Sequence, residues 1–192
     1  MRVAYADPPY IGQSRKHYKD HPDYAGEVDH PALIQRLASE YPDGWALSCH
    51  VPSLRVLLPL CPDDVRVGAW VKPFAVIKKN VRISYAWEPV IWRGGRKDTR
   101  RAGAGKDWIS ANIVLRNHNG TKGSKPEAFC FWIFELLNLE DGDDLHDLFP
   151  GSGIVTRCWE SWKRQTRLPL THPRSGSDDA AKREQMDMEA AV

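Results

Sequence analysis

The sequence predicts an α/β domain with a mainly parallel central sheet flanked by helices. Three observations lead there. Short β-branched or aromatic runs alternate with segments of helical periodicity. The first such run is cut off by two prolines, which cannot continue a ladder. A late glycine turn sits between a strand-like run and a helix-like one. The 192 residues fit one domain with a full core. That domain is expected over residues 1–170, followed by a polar tail, 171–192, without aromatics, read as disordered or as a lone polar helix.

The elements follow in order. Residues 2–6 read as a buried strand that presents Asp7-Pro8-Pro9-Tyr10 at its carboxyl end. The polar stretch 11–27 reads as a loop. Asp29 and Pro31 mark a helix start, and Leu33, Ile34 and Leu37 keep helical spacing to about Glu40. After a turn at Asp43-Gly44, residues 45–49 form a strand, 52–60 a short apolar helix and 65–71 a strand that stops at Lys72-Pro73. Residues 85–92 give another strand, and a further one is expected at 113–115. The run 127–139 is apolar nearly all round, so it is a buried helix. A turn and strand over 142–148 meet Phe149-Pro150-Gly151-Ser152-Gly153, and a helix follows over 154–162.

With 42% hydrophobic and 27% charged residues, collagen, low complexity and global disorder are excluded. No apolar run approaches the ~20 residues of a membrane span, and MRVAYADPPY is no signal peptide. A soluble, cytoplasmic chain with no membrane partner is expected. The four cysteines, Cys49, Cys61, Cys130 and Cys158, form no CxxC pair, so no metal site is expected and the thiols read as reduced and buried. Most of the eight tryptophans belong in a core, with some left for a ligand site. Net charge is +2, but residues 93–125 hold nine Lys or Arg against two Asp.

Two motifs carry chemistry. In a doubly wound sheet, ligands bind beyond the carboxyl ends of the strands. There Asp7 offers carboxylate acceptors, the prolines fix a backbone carbonyl, and Tyr10 offers a flat ring. Two acceptors and an aromatic face suit an exocyclic amino group on a planar base. The tetrapeptide alone reads equally as a turn closing a strand. The second motif is Asp147-Leu148-Phe149-Pro150-Gly151-Ser152-Gly153. Its glycines permit close backbone approach, and the following helix offers free N–H groups to an anion. It lacks the third glycine of a dinucleotide fingerprint and the Lys-Ser/Thr ending of a phosphate loop. Alone, it reads equally as a plain strand-to-helix turn.

Together the two motifs resemble the amino-methyltransferases of DNA, which use S-adenosylmethionine to methylate adenine N6 or cytosine N4. Asp7-Pro8-Pro9-Tyr10 matches the family's catalytic tetrapeptide, and Asp147 to Gly153 looks like its methyl-donor loop. Lys125-Pro126-Glu127-Ala128 matches the element that precedes that loop. Trp70-Val71-Lys72-Pro73 and Trp87-Glu88-Pro89-Val90-Ile91-Trp92 are similar to the intermediate strand motifs. The catalytic motif comes first and the donor loop last, as in the circularly permuted β-type order. The resemblance covers about residues 2–162 and implies a Rossmann-like methyltransferase fold.

It implies roles residue by residue. Asp7, with the Pro8 carbonyl, would accept the amino hydrogens, Pro9 would stiffen the turn, and Tyr10 would stack on a base flipped from the duplex. Asp7, Lys125, Asp147, Phe149, Gly151, Ser152 and Gly153 would line the donor, with Lys125 near its methionine carboxylate. The basic residues Arg15, Lys16, Lys19, Arg93, Arg96, Lys97, Arg100 and Arg101 are the expected nucleic-acid contacts, and Glu88 is a weaker site candidate. The implied activity is methylation of a DNA base, adenine N6 before cytosine N4, because Asp rather than Ser opens the tetrapeptide.

RNA is a second candidate polymer, and a non-catalytic nucleic-acid-binding module and a small-molecule methyltransferase are the competing classes. A homodimer would help so short a chain cover a duplex, but no residue supports one. The resemblance implies a last strand over 166–170, but the sequence departs from the family pattern after it at Thr171-His172-Pro173, where an acid for the ribose hydroxyls is usual, and at His146-Asp147-Leu148, where Asp-Pro is usual before Phe.

Overall fold

The computed structural model describes residues 1–14, 26–73, 82–97, 105–114 and 124–167. Within them six strands form one sheet: β1 (Arg2–Ala6), β2 (Gly44–Ser48), β3 (Arg66–Val71), β4 (Trp87–Gly94), β5 (Trp108–Ser110) and β6 (Asp144–Asp147). Their order is β5-β3-β4-β2-β1-β6. β1 pairs in parallel with β2 and β6, and β3 with β5, while β4 is antiparallel to both neighbours. Five strands therefore point one way and β4 alone runs back. The helices are α1 (His30–Glu40), α2 (Leu54–Leu57), α3 (Glu127–Leu136) and α4 (Ile154–Arg167).

The period of two along the strands divides the core into two layers. Val3, Tyr5, Ala46, Trp70 and Val90 face α3 and α4; Ala4, Ala6, Trp45, Leu47 and Ile91 face α1 and the helical run around α2. α3 meets α4 through aromatic edges, with Phe134 against Trp159 at 5.3 Å and Trp162 at 5.7 Å between ring centroids. Trp45, Trp70, Trp132 and Trp159 are buried, whereas Trp87 and Trp108 are exposed. The cysteines are free thiols, three buried and Cys61 half-buried. No helix among the described residues is long and apolar enough to cross a bilayer.

Local signals set most boundaries. Asp29 caps α1, its carboxylate accepting from the Ala32 N–H at 2.9 Å. The run expected as one helix at 52–60 is three short pieces, with 3₁₀ turns at Val51–Ser53 and Leu58–Leu60 around α2. Pro52 and Pro59 each restart the winding. α3 ends at Leu136, before Asn138 takes a left-handed φ of 49°.

Three strand expectations are corrected. The strand expected at 113–115 lies instead at Trp108–Ser110: its partner β3 ends at Val71, and the Ala111 N–H makes the last ladder bond, to the Val71 carbonyl at 3.0 Å. Ile113 packs against the α3–α4 layer instead, and Leu115 lies outside the described residues. The strand expected from Tyr85 begins at Trp87 and continues to Gly94. Thr166 and Arg167, expected to open a last strand, are the final residues of α4. Residues 168–192 lie outside the described residues, as do the expected tail and its missing acid.

At the amino edge, β4 leaves the sheet through Gly94 and Gly95. Gly95 has φ +89°, and a Cβ there would stand 2.7 Å from the Leu137 carbonyl oxygen. Gly95→Ala is therefore expected to cost at least about 2 kcal/mol, read as a lowered urea midpoint. Gly142→Ala, where a Cβ meets open space, should stay within about 0.5 kcal/mol of wild type. Equal midpoints for the two variants would refute the close approach at Gly95.

Candidate active site

β1 and β6 are neighbouring parallel strands with Tyr5 in register with Asp147, so their following turns leave the same edge of the sheet about one strand spacing, ~4.8 Å, apart. The Leu148 N–H donates to the Tyr5 carbonyl at 2.9 Å and extends the pairing to the last residue before the glycine turn. The Asp-Pro-Pro-Tyr turn and the Asp147–Gly153 turn thus share one site. Asp7 and Asp147 sense each other's charge there.

A charged cluster fills the Asp7 side. Lys125, just before α3, is buried. Its Nζ donates to Asp7 Oδ1 at 2.9 Å and to the Tyr10 hydroxyl at 3.3 Å, with Glu88 Oε2 at 3.8 Å. The Tyr10 hydroxyl donates to Glu88 Oε2 at 2.9 Å, and Lys72 holds the other Glu88 oxygen. Two cations thus meet two anions. Burial opposes the Lys125 charge, but Asp7, with Tyr5 and Glu88, outweighs it and holds the ammonium above its ordinary range. Burial likewise opposes the Glu88 charge, and Lys125 and Lys72 outweigh it and hold that carboxyl low. Burial, then Asp7 and Glu88, push the Tyr10 phenol well up, so its proton stays on and is donated to Glu88. Tyr10 stacks on His50 with 5.3 Å between centroids and 5° between planes. His50 follows β2, and its Nδ1 lies 2.6 Å from Ser53 Oγ.

The Asp147 side is less satisfied. Asp147 Oδ1 accepts from the Phe149 N–H at 3.2 Å, while Oδ2 is buried with no partner among the described residues. Burial raises this carboxyl to about 6, the Phe149 N–H opposing the rise and Asp7 adding to it. Gly151 and Gly153 take φ of 47° and 68°, which folds the turn back to the start of α4. Ser124 Oγ donates to Ser152 Oγ at 2.8 Å, linking the segment before Lys125 to this turn. A buried, unpartnered carboxylate oxygen beside a helix N-terminus fits a ligand that donates hydrogen bonds and carries charge.

Of the sequence-predicted residues, Asp7, Tyr10, Lys125, Asp147 and Ser152 gather here with the turn residues Pro8, Pro9, Phe149, Gly151 and Gly153. Lys125, expected near the donor carboxylate, spends its charge on Asp7. Arg93 and Arg96 do not join the site. β4 runs backwards, so its carboxyl end lies at the opposite edge, where Gly94 pairs with Gly44. There Arg93 Nε is 2.6 Å from Asp64, and Arg96 binds Asp143 at 2.8 and 3.0 Å. Lys97 is exposed beside them. Arg15, Lys16, Lys19, Arg100 and Arg101 lie outside the described residues. Sequence reasoning missed His50 and the role of Lys72. The Lys72-Pro73 strand stop was a signal for the second; nothing local pointed to His50.

No protein-family model and no curated protein match the chain. Solved structures do. The crystal structure of the M1.HpyAVI–SAM complex superposes with a TM-score of 0.58 at 16% identity, over 84% of this chain and 78% of that one. M1.HpyAVI alone gives 0.54 at 13% identity, over 84% and 76%. The chain shares the Rossmann-like α/β fold of these structures.

Asp147 gives a pH test. Its folded pKa of about 6 exceeds the unfolded value of about 3.9, so the native state holds the proton more tightly. Stability from this group is present below about pH 4 and is lost as pH rises to 6. Asp147→Asn is expected to stabilise the fold by about 2 kcal/mol at pH 7.5 and by nothing at pH 4, measured by urea unfolding at both. A variant less stable at pH 7.5 would contradict the buried, unpartnered oxygen.

Proposed function

We propose that the protein transfers a methyl group from S-adenosylmethionine to the exocyclic amino group of a DNA base, adenine N6 first. One observation carries the reading: the Asp7–Tyr10 turn and the Asp147–Gly153 turn leave adjacent parallel strands at one edge, with Tyr5 in register with Asp147. A nucleobase amine and a charged donor would then meet between two carboxylates. The resemblance of both motifs to the DNA amino-methyltransferases supports it, as does the likeness in fold to a protein crystallised with SAM.

When bound, S-adenosylmethionine supplies an activated methyl group and departs as the thioether. Asp147 Oδ2, Ser152 and the glycine backbone are the groups that would hold it. The chain's own residues do the rest. An aromatic amine is a weak nucleophile because its lone pair is delocalised into the ring. Asp7 and the Pro8 carbonyl accept its hydrogens and favour a pyramidal nitrogen. With Lys125 on Oδ1, Asp7 keeps Oδ2 for that task. Tyr10, held by Glu88 and stacked on His50, would border the base. Catalysis rests on positioning and fixed charge.

A non-catalytic nucleic-acid-binding module is the second reading, favoured by the hold of Lys125 on the carboxylate that would meet the substrate. Incubation with labelled S-adenosylmethionine and mixed DNA or RNA, followed by nucleoside analysis, separates the two and reports the base and polymer. Methyladenine in DNA is the expected product. Asp7→Ala should lower turnover by about a thousandfold or more while calorimetry still finds donor binding. Equal turnover would remove Asp7 from the mechanism, and wild type that binds no donor would favour the module.

A further inference from the structure

If the protein acts on a base in a nucleic acid, the polymer must reach the Asp7 edge, and Arg93 and Arg96 sit at the other one. The sheet offers an alternative on the β3–β5 side. Residues paired across a sheet share a face: Val67 pairs with Ile91, Val71 with Trp87, and Ala69 with both Pro89 and Trp108. Ile91 belongs to the layer covered by α1 and α2. That cover does not extend outward, because Val67, Trp87 and Trp108 are 38%, 37% and 47% exposed. Just before β4, Tyr85 and Ile83 are also exposed, at 56% and 68%. Trp87 lies at the carboxyl edge, next in sequence to Glu88, the partner of Tyr10.

Cations accompany the rings. Lys106 Nζ lies 5.2 Å from the Trp108 ring centroid, and Arg82 adjoins Ile83. Of the neighbouring charges, Asp107 lies 3.6 Å from Arg66 and Lys72 is matched by Glu88. Exposed aromatic faces interleaved with net positive charge are the chemistry that binds an unpaired nucleic-acid strand, bases on rings and phosphates on cations. A purely hydrophobic partner would leave those cations unmatched. From β5 to β1 is four strand spacings, roughly 19 Å, which a few nucleotides bridge. We propose that Tyr85, Trp87 and Trp108, with Lys106 and Arg82, form the track for the unpaired strand flanking the target base. This rests on the function proposed above.

The test is fluorescence anisotropy with a labelled twelve-nucleotide single-stranded DNA, on the full chain at two salt concentrations, with molecular mass measured in parallel. Tyr85→Ala and Trp108→Ala, both at exposed positions, should each weaken binding about tenfold or more without shifting Tm. Lys106→Ala should reduce the salt slope by about one. Unchanged affinity in all three variants overturns the track and leaves the proposed activity standing. Wild type that binds the strand as described but transfers no methyl group overturns that activity and leaves the track. Wild type with no affinity for the strand, or a dimer that the variants split with DNA affinity intact, also overturns the track.

Discussion

A buried ammonium organises the carboxyl edge of the sheet. Lys125 is almost wholly withdrawn from water, and a lone charge in that position would cost several kcal/mol. It is tolerated because Asp7 and Tyr10 meet it directly and Glu88 stands 3.8 Å off. Those partners come from the end of β1, the turn after it and the start of β4, and Lys72 from the end of β3 closes the set. Four chain segments far apart in sequence are therefore held by one charge balance. Removing any member leaves another buried and unmatched, so the cluster fixes geometry more than it adds stability.

The neighbouring half of the site works the opposite way. Asp147 is buried with one oxygen unsatisfied, and its raised pKa measures what the fold gives up to keep a carboxylate there. Among the described residues no cation relieves it, since Lys125 is engaged by Asp7. One side is electrostatically complete and rigid; the other is poised for a hydrogen-bond donor from outside. That asymmetry fits the proposed function, in which Asp7 would stay aimed while a small charged ligand comes and goes.

Legibility in the sequence followed the range of the determining interaction. β1 was readable to the residue because Pro8 and Pro9 end it locally, and α1 because Asp29 and Pro31 mark its start. The strand at 108–110 was not readable, since its extent depends on where β3 stops. Lys125 was legible through its motif, but its contact with Asp7 was not: that contact depends on how α3 docks against β1. His50 escaped because its contact with Tyr10 spans forty positions and leaves no local pattern.

In the basic segment, strand direction decides where the described charges fall. Nine cations in thirty-three residues look like a nucleic-acid surface, yet a sequence does not announce which way a strand runs. β4 is the one reversed strand among the described residues, and the reversal carries Arg93 and Arg96 to the edge away from Asp7, where Asp64 and Asp143 neutralise them. The same reversal brings the start of β4 to the active edge. Glu88 thereby enters the charge cluster, and Trp87 is left at its margin on the open face. A single antiparallel pairing, set by the ladder with β3, thus places an aromatic ring, rather than Arg93 and Arg96, beside the charge cluster.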